Sequence, residues 1–133
     1  MRVQGAQLKA KRVSVLGLAR EGIAVARYCA EHGAAVTVSD AKNSAELQPA
    51  LAELAGLPIR YEFGTHSLEL LDCDVLFVSP GIPLDAPIML AARQRHLPLS
   101  SEARLFTRQC PAKNAGITGS RGKTTTCTAL ARI

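Results

Sequence analysis

The chain has 133 residues, of which 47% are hydrophobic, 20% charged and only 4% aromatic, with a formal net charge of +5. That is the size of one ordinary domain with an aliphatic core, which excludes a disordered or fibrous chain, and so few aromatic rings leave no platform for stacking bases. No apolar run reaches the ~20 residues that span a bilayer, and no basic run is long enough to track a nucleic acid, so the positive charge reads as solvated surface or as a preference for small anions. A polar stretch after Arg2 is unlike a secretory leader, and Cys29, Cys73, Cys110 and Cys127 share no metal or disulfide spacing. These features predict reduced, mostly buried thiols and a cytoplasmic protein that meets neither membrane nor nucleic acid.

In chain order, Val13 to Gly17 reads as a buried strand, followed by a helix from Gly22 to His32 that Gly33 ends in a left-handed position. Ala35 to Ser39 is a second strand. Ser44 is a candidate cap for a helix through Leu47, Leu51 and Leu54, stopped by Gly56-Leu-Pro58. Ile59 to Phe63 reads as a third strand, and Asp74 to Ser79 as a fourth that ends in the sharp turn Pro80-Gly81. Pro87 to Arg95 is a helix, Leu97 to Leu99 a short strand, and Ser101 to Gln109 another helix. After the polar break Pro111 to Asn114, Ala115 to Thr118 is a fresh strand and a last helix starts at Lys123.

Strands alternating with helices imply right-handed βαβ units and a parallel sheet. The expected fold is α/β: a Rossmann-like open parallel sheet with helices on both faces over residues 1–110. Residues 111–133 then read as the first strand, P-loop and helix of a truncated second domain.

Two glycine-rich turns carry chemistry. Gly17-Leu-Ala-Arg-Glu-Gly22 follows the first strand and opens the first helix, where backbone N–H groups and the helix dipole can meet a pyrophosphate. Asp40, at the tip of the second strand, stands where such a fold places an acid against a ribose or base. Ala19 takes the place of the middle glycine of G-x-G-x-x-G, so the turn reads either as a nicotinamide or flavin site or as a plain tight strand–helix connection. In the second turn, Gly119-Ser-Arg-Gly-Lys-Thr124, backbone amides would cradle phosphates, Lys123 would reach the terminal ones and the Thr124 hydroxyl would ligate magnesium. Ile117 stands where G-x-x-x-x-G-K-S/T has its first glycine, which makes the loop a variant. His32, His66 and His96 are scattered and read as surface or helix-end residues, and Asp72 and Asp74 as solvated turn acids.

Gly116-Ile-Thr-Gly-Ser-Arg-Gly-Lys-Thr-Thr-Thr126 resembles the T-G-S/T-N-G-K-S/T ATP loop of the Mur ligases, the ATP-dependent amino-acid ligases of peptidoglycan synthesis. Val78-Ser-Pro-Gly-Ile-Pro83 resembles the V-S-P-G-I/V element of their UDP-binding domain. Ser101-Glu-Ala-Arg-Leu-Phe106 is similar to G-E-I/L-E-L-F of the branch that adds D-glutamate. The resemblance runs the length of the chain and implies an N-terminal UDP-binding domain followed by the start of a central ATPase domain. It implies UDP-N-acetylmuramoyl-L-alanine and D-glutamate as substrates, ATP and Mg2+ as cofactors, and an acyl phosphate that the incoming amine attacks.

By the same resemblance Arg20, Glu21 and Gly22 approach the diphosphate, and Asp40, Ala41 and Lys42 face the uracil, with Lys42 able to lie against the ring. Ser79, Pro80 and Gly81 line the same crevice. Gly119, Ser120, Arg121, Gly122, Lys123, Thr124 and Thr125 hold ATP, with Lys123 and Thr124 catalytic and Thr124 the metal ligand. Arg121 stands where the family has Asn, Ser101-Glu102 where it has Gly-Glu, and Arg104 where it has a second acid. Glu21 beside a diphosphate is expected to act through its backbone. Without the rest of the ATPase the stretch is expected to bind UDP but not to turn over ATP. Another Mur branch, or a non-catalytic Rossmann-type nucleotide-binding module, are the alternatives the residues leave open.

Overall fold

Alternating runs of Val, Leu and Ile between helices resolve into five parallel strands in a computed structural model that describes residues 8–113 and 122–131. The strands are β1 (Arg12–Leu16), β2 (Ala35–Asp40), β3 (Ile59–Phe63), β4 (Val75–Val78) and β5 (Leu99–Ser100). The helices are α1 (Arg20–Glu31), α2 (Gln48–Glu53), α3 (Pro87–Gln94), α4 (Glu102–Gln109) and α5 (Lys123–Ala131). The sheet order is β3-β2-β1-β4-β5, so the chain steps outward from β1 to β3 and then returns across β1 to build the other half.

The two directions of travel put the crossovers on opposite faces, because each parallel connection is right-handed. Val13, Val15, Val36, Val38, Val75 and Phe77 face α1, α2 and α4, joined by Val25, Ala26, Cys29, Leu54 and Leu105. Leu16 and Leu76 face α3 and the 3-10 turn Leu68–Leu71, through Leu70, Leu71, Ile88, Met89 and Ala92. β1 and β4 are central and apolar on both faces, as buried parallel strands are. Ser14 is the polar exception, and its hydroxyl donates to Leu70 O at 2.6 Å, tethering the 3-10 turn to the sheet.

The elements depart from expectation in instructive places. Ser44 does not cap α2. Asn43 and Glu46 instead exchange bonds, Asn43 N to Glu46 Oε2 at 3.1 Å and Glu46 N to Asn43 Oδ1 at 3.0 Å, and α2 begins only at Gln48. This is the reciprocal bonding of a capping box, used here to close a turn. The 3-10 turn went unforeseen because the short β3-to-β4 crossover has no helical period to read. The strand expected at Ala115 to Thr118 lies outside the described residues.

Asp74 is not a solvated turn acid. Arg12 N donates to its Oδ2 at 2.8 Å, Asp74 N donates to Arg12 O at 2.8 Å, and the guanidinium stands 3.7 Å from Oδ1. The bond from the Arg12 backbone, with help from the Arg12 and Lys11 charges, holds this carboxyl below its ordinary range against the smaller opposing effect of desolvation. The thiols also divide differently from expectation: Cys29 and Cys73 are buried, Cys110 is half-buried and Cys127 is exposed. Burial pushes Cys29 up to about 12 and raises Cys73 as well, so both are inert thiols.

Asp74→Ala should lower the Tm at neutral pH. A depressed carboxyl stabilises above its ordinary value of 3.8 and loses that contribution as pH falls through the lower folded value, so melting curves of the two proteins should converge in acid. Alkylation of the native chain at pH 8 should label Cys127 and Cys110 and spare Cys29 and Cys73 until denaturant is added, as peptide mapping would read directly.

Candidate functional site

Where the sheet order reverses, between β1 and β4, the chain ends of both strands meet the start of α1. After β1 the backbone turns at Gly17 with φ +93, a conformation that needs glycine, and its N–H donates to Ser39 O at 2.8 Å. A Cβ at Gly17 would lie 2.9 Å from both Cβ and Oγ of Ser79, and one at Gly22 would lie 1.9 Å from Gly17 O. The buried Ser79 hydroxyl donates to that same Gly17 O at 3.1 Å. Gly17, Gly22 and Ser79 therefore form one contact that seats α1 directly on the sheet. The first and last glycines of the turn are there for backbone geometry and close packing, and Ala19 between them is exposed.

This seating leaves α1 open at its N-terminus. Ala19 is extended at the cap position and offers no side-chain acceptor, and among the described residues the first N–H of α1 that reaches a carbonyl is that of Ile23, on Ala19 O at 2.9 Å. The amides of Arg20, Glu21 and Gly22, predicted to face a diphosphate, thus point out of the helix with the positive end of its dipole. Arg20 is exposed, whereas Glu21 joins Gly22, Ser79 and Glu102 around a pit of about 10 Å³, the room of about one water.

The tip of β2 closes the same end. The Asp40 carboxylate accepts Leu18 N on Oδ2 at 2.8 Å and Lys42 N on Oδ1 at 2.9 Å. Each oxygen keeps a lone pair, so the acid both fixes the glycine turn and can still accept from a ligand. Ala41 and Lys42 are exposed beside it. From the β4 side, Pro80 and Gly81 are exposed, and a Cβ on Gly81 would find no atom within 4 Å. The predicted groups 20–22, 40–42 and 79–81 thus converge at the carboxyl ends of β1, β2 and β4, although the Ser79 proton is already committed to Gly17.

The histidines sort by position. His32 ends α1, with Nδ1 2.7 Å from Tyr28 O and its ring stacked on Tyr28, while His96 is exposed after α3 with φ +52. His66 is half-buried and contacts the wholly buried Ser39, a pairing with no signal in sequence spacing.

Of the predicted ATP residues, Gly119, Ser120 and Arg121 lie outside the described residues. Gly122 has φ +79, and Lys123, Thr124 and Thr125 follow as the exposed first turn of α5, the loop-to-helix passage a phosphate loop requires. Among the described residues no three His, Cys, Asp or Glu side chains gather to hold a metal, and no helix is long and apolar enough to cross a membrane.

A larger cavity of about 660 Å³ lies at the opposite end, where Arg12 and Ala35 open their strands and Pro58 precedes β3. Its floor is the polar face of β1–β3, with Ser14, Thr37, Arg60 and Glu62. The crossover above it is only the 3-10 turn, so the opening follows from topology, and it shares none of the convergent groups.

Residues 11–101 match the family described as Mur ligase MurD-like, N-terminal domain. Over 128 residues, 96% of this chain, the sequence is 44% identical to UDP-N-acetylmuramoylalanine–D-glutamate ligase of Geotalea uraniireducens (strain Rf4), and it spans 28% of that protein. Two solved structures share the fold. One is the UDP-N-acetylmuramate:L-alanyl-gamma-D-glutamyl-meso-diaminopimelate ligase from Neisseria meningitides, 20% identical with TM-score 0.53, over 70% of this chain and 29% of that one. The other is shikimate dehydrogenase of Mycobacterium tuberculosis, 19% identical with TM-score 0.51, over 97% of this chain and 59% of that one.

Gly22→Ala should destabilise the chain by about 2–3 kcal/mol, the cost of forcing a methyl into a filled contact, and lower its Tm by roughly 10 °C or more. Gly81→Ala, at an open position without positive φ, should leave the Tm within about 2 °C of the parent.

Proposed function

Since the chain belongs to the MurD-like Mur ligases, we propose that residues 1–110 hold the UDP part of UDP-N-acetylmuramoyl-L-alanine at the β1/β4 switch point. The observation that carries this reading is the uncapped N-terminus of α1, seated by Gly17, Gly22 and Ser79 so that the amides of Arg20, Glu21 and Gly22 have no acceptor among the described residues. Open α/β sheets bind ligands in just such a crevice beyond their carboxyl ends. The diphosphate takes the α1 amides and the Arg20 charge. The open space in front of Gly81 admits a phosphate or sugar against backbone, and the uracil lies on the Asp40–Lys42 loop, with an Asp40 oxygen free to accept from its ring N–H.

Residues 111–133 begin the ATP-binding domain in this reading. Lys123 would reach the terminal phosphates of ATP, and Thr124 would offer its hydroxyl to Mg2+, which supplies charge neutralisation on the transferring phosphoryl group. The positive φ of Gly122 and the helix starting at Lys123 suit that role. The whole protein then joins D-glutamate to the carboxylate of UDP-N-acetylmuramoyl-L-alanine in the cytoplasm, through an acyl phosphate. The 133 residues contribute substrate binding and part of the ATP site, not turnover.

Isothermal titration of the chain with UDP should give measurable binding, and Gly81→Ala should weaken it about tenfold, some 1.4 kcal/mol, without lowering the Tm. Absence of heat at about 1 mM UDP, a ligand level that detects binding of roughly 4 kcal/mol, together with stabilisation by NADH, would overturn the reading in favour of a dinucleotide module.

A further inference from the structure

The loop that follows β3 ties itself to the tip of β2 by four bonds. Gly64, with φ +87, turns the chain so that its N–H donates to both Asp40 O at 2.9 Å and Lys42 O at 3.3 Å. Ser39 Oγ lies 3.1 Å from Thr65 O and 2.6 Å from His66 Nδ1. Ser39 is wholly buried and has a single hydroxyl proton. Both of its contacts are hydrogen bonds together only when Ser39 donates to Thr65 O and the His66 ring donates from Nδ1 to Oγ. This arrangement gives the buried Ser39 hydroxyl both a donor and an acceptor and selects the Nδ1–H form of the ring.

We propose that His66 is a positioning residue for nucleobase recognition: through Ser39 it holds the Gly64–His66 loop against β2 and so fixes the Asp40–Lys42 loop. The proposal rests on the UDP reading above. The Asp40–Lys42 segment is clipped from two sides. Its carboxylate reaches Leu18 N on the glycine turn, and its backbone carbonyls accept Gly64 N from the β3 loop. Without the ring, the buried Ser39 Oγ loses its donor, and the β3 loop keeps only the Gly64 bonds and the Ser39–Thr65 bond. The base-facing loop then loosens, while the α1 amides, seated by Gly17, Gly22 and Ser79, keep their positions.

That separation gives the test. UDP and inorganic pyrophosphate are titrated into the parent chain, His66→Phe, His66→Asn and Ser39→Ala. Asn is the conservative variant because its amide can donate where Nδ1–H does. The expected result is that His66→Phe and Ser39→Ala each weaken UDP about tenfold and leave pyrophosphate binding within twofold, and that His66→Asn restores most of the UDP affinity. Unchanged UDP affinity in His66→Phe overturns the proposal, as does equal weakening of both ligands with no recovery in His66→Asn, which is the signature of a merely structural residue. A parent chain that binds pyrophosphate but not UDP removes the UDP reading itself, and the nucleobase role of His66 with it. Should His66→Phe fail to fold, the Ser39→Ala and His66→Asn pair decides between these outcomes.

Discussion

The contact between α1 and the end of β1 sets the position of everything at the carboxyl end of the sheet. At Gly22 the helix comes so near Gly17 that a single methyl would stand 1.9 Å from a carbonyl oxygen. No side chain other than hydrogen fits, and no shift of the helix relieves the clash without moving its first turn off the sheet. Ser79 reaches the same carbonyl from β4, so two strands and a helix are registered through one oxygen atom. A rigid, shared anchor of this kind is what a binding site on a helix N-terminus needs, since the amides can be placed only as accurately as the helix that carries them.

The resulting crevice is made chiefly of backbone. Ala19 contributes no polar group, Glu21 carries the wrong sign for an anion, and yet the arrangement suits phosphate because N–H groups and the helix dipole are indifferent to side chains. Side chains enter at the periphery. Asp40 stitches the glycine turn to the β2 tip, and the β3 loop braces that tip from beneath. A fold anchored this way tolerates substitution at exposed positions such as Gly81 and very little at Gly17, Gly22 and Ser79.

Much of this was legible in the chain itself. The alternation of Val36 and Val38 with Thr37 and Ser39, the apolar run of β4 and the glycines around α1 are local patterns, and they placed the strands, their parallel arrangement and the tight turn from β1 into α1. What escaped notice depends on partners far apart in sequence. Ser39 and His66 are separated by 27 residues, and Arg12 and Asp74 by 62, so no spacing rule brings them together. Asp74 looked like a solvated acid because only the folded sheet shows that it already holds a backbone group, and the bond from Ser79 to Gly17 is equally invisible in the sequence. The 3-10 turn at Leu68–Leu71 escaped for another reason: one helical turn is too short to have a period.

The Arg12–Asp74 clip has a meaning for how the chain is made. β1 sits in the middle of the sheet, and Val13 pairs with Val36 on one side and Val75 on the other. β2 follows β1 directly in the chain, so during synthesis one edge of this apolar strand has its partner early while the other waits for β4. At ~5–20 residues per second that interval lasts roughly 3–12 s, during which a bare edge invites pairing with another nascent chain. The reciprocal bonds between Arg12 and Asp74 lie at the first rung of the β1–β4 ladder. They commit the late strand to one register on arrival, where a slip by a single residue would turn Leu76 and Phe77 to the wrong faces.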